Sequence, residues 1–209
     1  IIYILADDMG YGDVKAFNPD CQFPTPNLDR MADEGMLFAD AHTNSSVCTP
    51  TRYGILTGRY AWRTEKKSGV TQGHSTDLIA PDQETVASLL KRQGYSTACF
   101  GKWHLGREPH SPLESGFDSD LPHWWGPGPK SSYLAPWGYT NPQFKEGQPG
   151  EHIEDRMAAE AVAWLKQRDR TKPFFLNYWQ FSVHAPFGAK PELIERYRKK
   201  LGTSVDGLT

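Results

Sequence analysis

The chain reads as an α/β fold, a mainly parallel sheet with helices on both faces, and two observations predict it. Apolar, strand-like runs alternate with helical patterns along the 209 residues. The turns that follow those runs carry paired acids, cations and histidines, as expected where sites form outside the carboxyl ends of parallel strands.

Ile1-Ile2-Tyr3-Ile4-Leu5-Ala6 is the first run, and its unbroken apolar character suits a strand buried on both faces. It ends in a turn over Asp7 to Asp13. Thr25 to Gly35 has a cap residue, Pro26 at the first helical position and a glycine stop, which predicts a helix. Met36 to Ala41 reads as a short strand. The next helix has Thr49 as its N-cap, Pro50 at the first position and Gly58 past its end, with Tyr53 and Leu56 on a buried side. Residues 60–80 read as a loop. Asp82 to Gly94 is an amphipathic helix with Val86, Leu89 and Leu90 inward. Tyr95 to Phe100 is a strand, followed by the turn Gly101 to Gly106. Residues 107–150 form a long insertion rich in Pro, Gly and Trp, and its aromatics argue against disorder. Glu151 to Arg168 is a helix, Pro173 to Gln180 a strand, and Pro191 to Lys200 a short charged helix.

A formal charge of −2 shows no global bias toward nucleic acid or a membrane surface. No apolar run reaches the length of a membrane span. No signal peptide is legible, because residue 1 already lies in a strand-like run. Three cysteines, Cys21, Cys48 and Cys99, make no disulfide framework. Cys99 lies in an apolar strand and reads as a packing residue, whereas Cys48 stands at a helix mouth, where backbone amides and the dipole favour negative charge.

The stretch Cys48-Thr49-Pro50-Thr51-Arg52, followed in register by Leu56-Thr57-Gly58-Arg59, resembles the signature of the type I sulfatases. Gly101-Lys102-Trp103-His104-Leu105-Gly106 is similar to a second motif of that family, and His184-Ala185-Pro186-Phe187 to a third. The one departure is Thr51, where serine is commoner. The resemblance implies an alkaline phosphatase-like fold, with residues 1–209 the N-terminal catalytic portion of a sulfatase domain and 107–150 an insertion. It also implies that Cys48 is oxidised to formylglycine by a formylglycine-generating enzyme. The hydrated aldehyde then attacks sulfur through one hydroxyl, and loss of the second hydroxyl's proton expels sulfate.

Each site residue carries its own chemistry beside the resemblance. Asp7 and Asp8 are adjacent carboxylates that resist joint burial unless a hard cation joins them, which favours Ca²⁺ or Mg²⁺; a solvated turn is the plain alternative. The resemblance makes them Ca²⁺ ligands, with the converted Cys48 also touching the metal. Lys102 and His104, two apart, face one way in extended backbone. The resemblance assigns Lys102 to sulfate, His104 to the formylglycine hydrate, and His184 to sulfate and to the leaving oxygen's proton. Arg52 offers planar donors to the hydrate, against an ordinary role in pairing within its helix. Trp124 and Trp125 offer stacking faces for sugar rings, against simple packing of the insertion; Trp137 is a weaker case. His74 and His42 flank the signature as weak candidates, and His110, His123 and His152 read as surface residues. The sequon Asn44-Ser45-Ser46 abuts the site and is discounted.

The implied substrate is a sulfate monoester, with sulfated carbohydrate favoured by the aromatic insertion, and the compartment implied by the family is periplasmic, secreted or lysosomal. Three rivals stand beside it. One is a phosphonate or phosphodiester hydrolase of the same superfamily. Another is a cysteine hydrolase using the Cys48 thiolate. The last is a non-catalytic anion-binding homologue with Cys48 unconverted. After His184 the carboxylates Glu192, Glu195 and Asp206 do not follow a strand, so further metal ligands and a further lysine are expected outside these residues.

Overall fold

A computed structural model of the chain describes residues 1–71 and 78–202; His74, Asp206 and Gly207 lie outside the described residues. Four strands form one parallel sheet: β1 (Ile2–Leu5), β2 (Ser96–Gly101), β3 (Ser119–Leu121) and β4 (Phe174–Trp179), in the order β1-β4-β2-β3. The helices are α1 (Pro26–Glu34), α2 (Cys48–Thr57), α3 (Val86–Arg92), α4 (Ile153–Gln167) and α5 (Pro191–Leu201).

Alternation along the central strands sends side chains to two cores. Cys99 of β2 and Phe175 and Trp179 of β4 face Tyr53 and Leu56 of α2 and Ala87 of α3. Ala98 and Phe100 of β2 and Leu176 of β4 face Ala161 of α4. Helices therefore cover both faces, as the alternating pattern predicts. A third cluster joins Tyr133, Trp137 and Phe144 of the insertion to Ile153 and Met157 of α4 and to Phe181. The insertion is thus a packed unit with its own core.

Four local expectations are corrected. Among the described residues β1 pairs with β4 alone, and with its other edge open Ile2 is 51% and Ile4 55% exposed, not buried; an apolar run does not show which neighbours a strand has. Residues 36–41 form no strand, and Met36 and Phe38 are exposed, because β-propensity without a pairing partner builds nothing. α3 starts at Val86, where the Thr85 hydroxyl accepts the Ser88 amide, and its buried residue is Ala87 while Leu89 is exposed. β3 lies inside the stretch read as irregular; three residues are too few to show a pattern.

Gly101 closes β2 with φ +103, and a Cβ there would sit 1.8 Å from the Trp179 carbonyl oxygen. Gly101→Ala is expected to cost about 3 kcal/mol, from backbone strain plus displacement of β4. Urea denaturation measures it, and a loss under about 1 kcal/mol would contradict this close-packing argument.

Candidate active site

All four strands run the same way, so their carboxyl ends share one edge of the sheet. Asp7 and Asp8 follow β1, Lys102 and His104 follow β2, and His184 follows β4. Asp8 (φ 59) and His104 (φ 57) are non-glycine residues in the left-handed region, and His123 (φ 65), just beyond β3, is the third. Such backbone persists where surrounding contacts over-determine it, and it concentrates at functional sites.

Cys48 is the first residue of α2, with Val47 as N-cap, two residues earlier than the sequence pattern implies. Thr49 is released from capping and its hydroxyl donates to the His104 carbonyl at 3.0 Å. The Thr71 hydroxyl donates to the same oxygen at 3.1 Å, and the two together hold the strained His104 backbone. The Asn44 side chain donates to the Pro50 carbonyl at 2.7 Å, so its amide is committed to the start of α2.

The His104 ring bridges two partners. Its Nε2 lies 3.0 Å from the Thr71 carbonyl, which can only accept, so Nε2 carries the proton. Its Nδ1 lies 3.1 Å from Cys48 Sγ and is left as the acceptor. Burial and the neighbouring Lys102 charge push the ring's pKa down to about 4. At neutral pH His104 is an uncharged base aimed at residue 48.

Behind Cys48 lies a buried charge cluster. The Asp7 carboxylate accepts from Lys102 Nζ and lies 3.7 Å from Arg52 Nη2. Both cations are fully buried, and burial pushes both pKa values down while Asp7 opposes the shift. Arg52 is held by its Nη1 bond to the Lys102 carbonyl, 2.7 Å, and by the Trp179 ring beneath it, 4.9 Å from centroid. Its Nε and Nη2 have no hydrogen-bond partner. Unspent buried donors beside a surplus cation suit an oxyanion. A cavity of about 190 Å³ opens there, lined by Asp7, Asp8, Ser45, Cys48, Thr51 and Arg52.

His184 Nε2 lies 3.8 Å from Oδ2 of Asp8, itself one of the residues lining this cavity. Among the described residues no three His, Cys, Asp or Glu side chains converge as a metal site. Asp7 and Asp8 are donors of the right hardness for Ca²⁺ or Mg²⁺ and would fill two of about six to eight oxygen positions.

The residue range 1–205 matches the family model described as Sulfatase. The chain belongs to the sulfatase family. Human N-acetylgalactosamine-6-sulfatase is 32% identical over 98% of the chain and 43% of its own length. The N-acetylgalactosamine-6-O-sulfatase of Bacteroides thetaiotaomicron is 44% identical over 52% of the chain and 21% of its own length. Ps i-CgsB, solved in complex with k-i-k-neocarrahexaose, superposes with a TM-score of 0.78 at 30% identity, over 95% of this chain and 48% of that one. The sheet is that of the alkaline phosphatase-like sulfatase fold. The chain spans less than half the length of the human relative it matches.

Trp124 and Trp125 lie outside the Cys48 cavity. Their rings meet tilted, with centroids 4.7 Å apart, and they line a separate small cavity with Trp103, Gly106, Asp120 and His123. His42 is an exposed partner of Asp40. Thr71 lies in a featureless loop that carries no sequence signal, and His123 departs from the surface role its sequence suggests. His123 instead bonds Asp120 at 2.7 Å through Nδ1 and pairs with Glu108 through Nε2, tying the turn after β2 to the end of β3. The only signal available was its place after a strand that the pattern did not reveal.

The Asp120 bond, with Glu108 beside it, raises the His123 pKa from 6.5 to about 9. A raised histidine pKa stabilises the fold fully below pH 6.5, and that stabilisation is lost as pH rises through about 9. The stability gap between the wild type and His123→Gln is therefore expected to be widest at pH 6 and to close above about pH 9. A gap that is constant with pH in urea titrations would show that the cluster is not ionic.

Proposed function

We propose that this chain carries the N-terminal catalytic portion of a sulfuric ester hydrolase acting on sulfate monoesters. The observation that carries the reading is a neutral His104 aimed at Cys48, beside the buried donors of Arg52 and the Lys102 ammonium. Conversion of Cys48 to formylglycine, by a formylglycine-generating enzyme during maturation, supplies a hydrated aldehyde with one hydroxyl to attack sulfur and a second to expel sulfate. Arg52 orients that residue through its unspent donors. Lys102 neutralises a sulfate oxygen. His104 Nδ1 accepts the proton whose loss releases sulfate, and His184 gives a proton to the departing alcohol. Asp7 and Asp8 would hold Ca²⁺, or Mg²⁺, which polarises a sulfate oxygen when bound.

Sulfated carbohydrate is the proposed substrate class. The relatives named N-acetylgalactosamine-6-sulfatase support it, as does a neighbour solved with its substrate D-glucosamine-2-N,6-O-disulfate, at a TM-score of 0.75 and 27% identity. Trp124 and Trp125, which line a small cavity with Trp103 and Gly106 of the turn that carries His104, are proposed sugar-stacking residues. Among the described residues no helix is long and apolar enough to cross a membrane. A periplasmic, secreted or lysosomal setting is proposed from the family resemblance alone.

Two experiments test the reading. Intact-mass analysis of the peptide holding Cys48 is expected to show the mass loss of thiol-to-aldehyde conversion. Wild-type protein should hydrolyse an aryl sulfate faster than an aryl phosphate diester, and Cys48→Ala should fall to background. An unconverted, fully retained thiol would favour an anion-binding homologue, and preference for the diester would favour the phosphodiesterase relatives.

Exhaustive chelation with EDTA is expected to reduce turnover by at least about tenfold, and Ca²⁺ should restore it. Undiminished activity in demetallated enzyme would remove Asp7 and Asp8 from the metal role.

A further inference from the structure

The His184 segment belongs to no helix or strand, yet both of its ends are gripped by the first turn of α4. Phe181 N and Ser182 N both donate to Glu154 Oε1, at 2.7 and 2.8 Å. His152 Nε2 lies 3.1 Å from the Gly188 carbonyl, and Lys190 pairs with Asp155 at 2.5 Å. From the insertion, the Tyr133 hydroxyl lies 2.7 Å from the Phe181 carbonyl and 2.8 Å from that of His184, so one donor serves both. The same segment locks onto the first strand's turn: Asp7 N donates to the Ser182 carbonyl at 2.9 Å, and Val183 N to the Asp7 carbonyl at 2.6 Å.

Glu154 is costly where it sits. It is half-buried, no cation pairs with it among the described residues, and its Oε2, shut off from solvent, has no hydrogen-bond partner. Burial pushes its pKa up, against the two amides that favour the charged form. Its own helix does not need it, because His152 Nδ1 already accepts the Glu154 amide at 3.2 Å. An apolar side chain would pack against Phe181 at lower cost. What it would not do is hold two adjacent amides at fixed points.

We infer that Glu154 and Tyr133 are positioning residues that set His184 and Asp7 against Cys48 by bolting the turn after β4. Neither touches the reacting atoms. The inference rests on the hydrolase reading and deepens it. The insertion gains a part in the site as well, because its packed core aims the Tyr133 hydroxyl at this turn.

The test uses the full-length protein with Glu154→Ala, Glu154→Gln and Tyr133→Phe, assayed on an aryl sulfate. Imidazole nitrogen NMR of His184 supplies a readout that does not depend on turnover. Glu154→Ala is expected to lower kcat by about ten- to a hundredfold with little change in KM, as expected for a misplaced catalytic group. Its His184 resonances should shift or broaden. Glu154→Gln keeps a carbonyl oxygen for both amides and is expected to restore kcat to within about threefold, with native His184 resonances. Tyr133→Phe should lower kcat by a smaller factor, and it carries the comparison if Glu154→Ala does not fold. Native kcat and unmoved His184 resonances in Glu154→Ala, or in Tyr133→Phe where it stands in, would overturn the inference, as would a Glu154→Gln variant as impaired as the alanine. If the wild type itself does not cleave sulfate, the hydrolase reading fails, and the His184 resonances alone still decide whether the bolt positions that ring.

Discussion

The site depends on one buried carboxylate. Asp7 is shared by Lys102 and lies within ion-pair distance of Arg52, so it binds the end of β1, the end of β2 and α2 into one cluster. Removing it would leave two buried cations facing each other without a counter-charge, a far larger penalty than losing a surface pair. The cluster is also why the pocket is receptive. One carboxylate's single negative charge leaves an ammonium and a guanidinium with a net positive charge, and the unspent donors of Arg52 mark where an oxyanion would complete the set.

The histidine on the other side of Cys48 shows how burial and hydrogen bonding set a proton's place together. Burial keeps His104 neutral, and the Thr71 carbonyl decides which nitrogen holds the single proton. A solvated histidine would divide its time between charge states and tautomers. Here the loop over residues 64–71 and the signature helix, joined through Thr49 and Thr71, hold the ring in one tautomer.

Much of this was legible in the sequence because the chemistry follows short local patterns. Asp7, Asp8, Lys102, His104 and His184 each come directly after an apolar run, and Cys48 and Arg52 lie one helical turn apart. What was not legible depends on partners distant along the chain. Glu154 looks like any acidic residue at a helix start until Phe181 and Ser182 arrive opposite it. The Met36–Phe38 stretch has the composition of a strand and lacks only a neighbour. Which strands lie beside β1 is likewise decided by the sheet and not by its own residues; among the described residues only β4 does.

Strand order has a consequence for assembly. β4 lies between β1 and β2, so the first two strands never touch each other. During synthesis the end of β1 must wait for more than one hundred and sixty residues, until the strand at Phe174–Trp179 exists, before it is drawn beside β2. The earlier strands meanwhile present unpaired edges, and closing so long a loop makes that pairing slow. The cluster of Asp7 with Lys102 is therefore among the last things to form, and a nascent chain halted before β4 holds every signature residue of α2 and β2 while having no site at all.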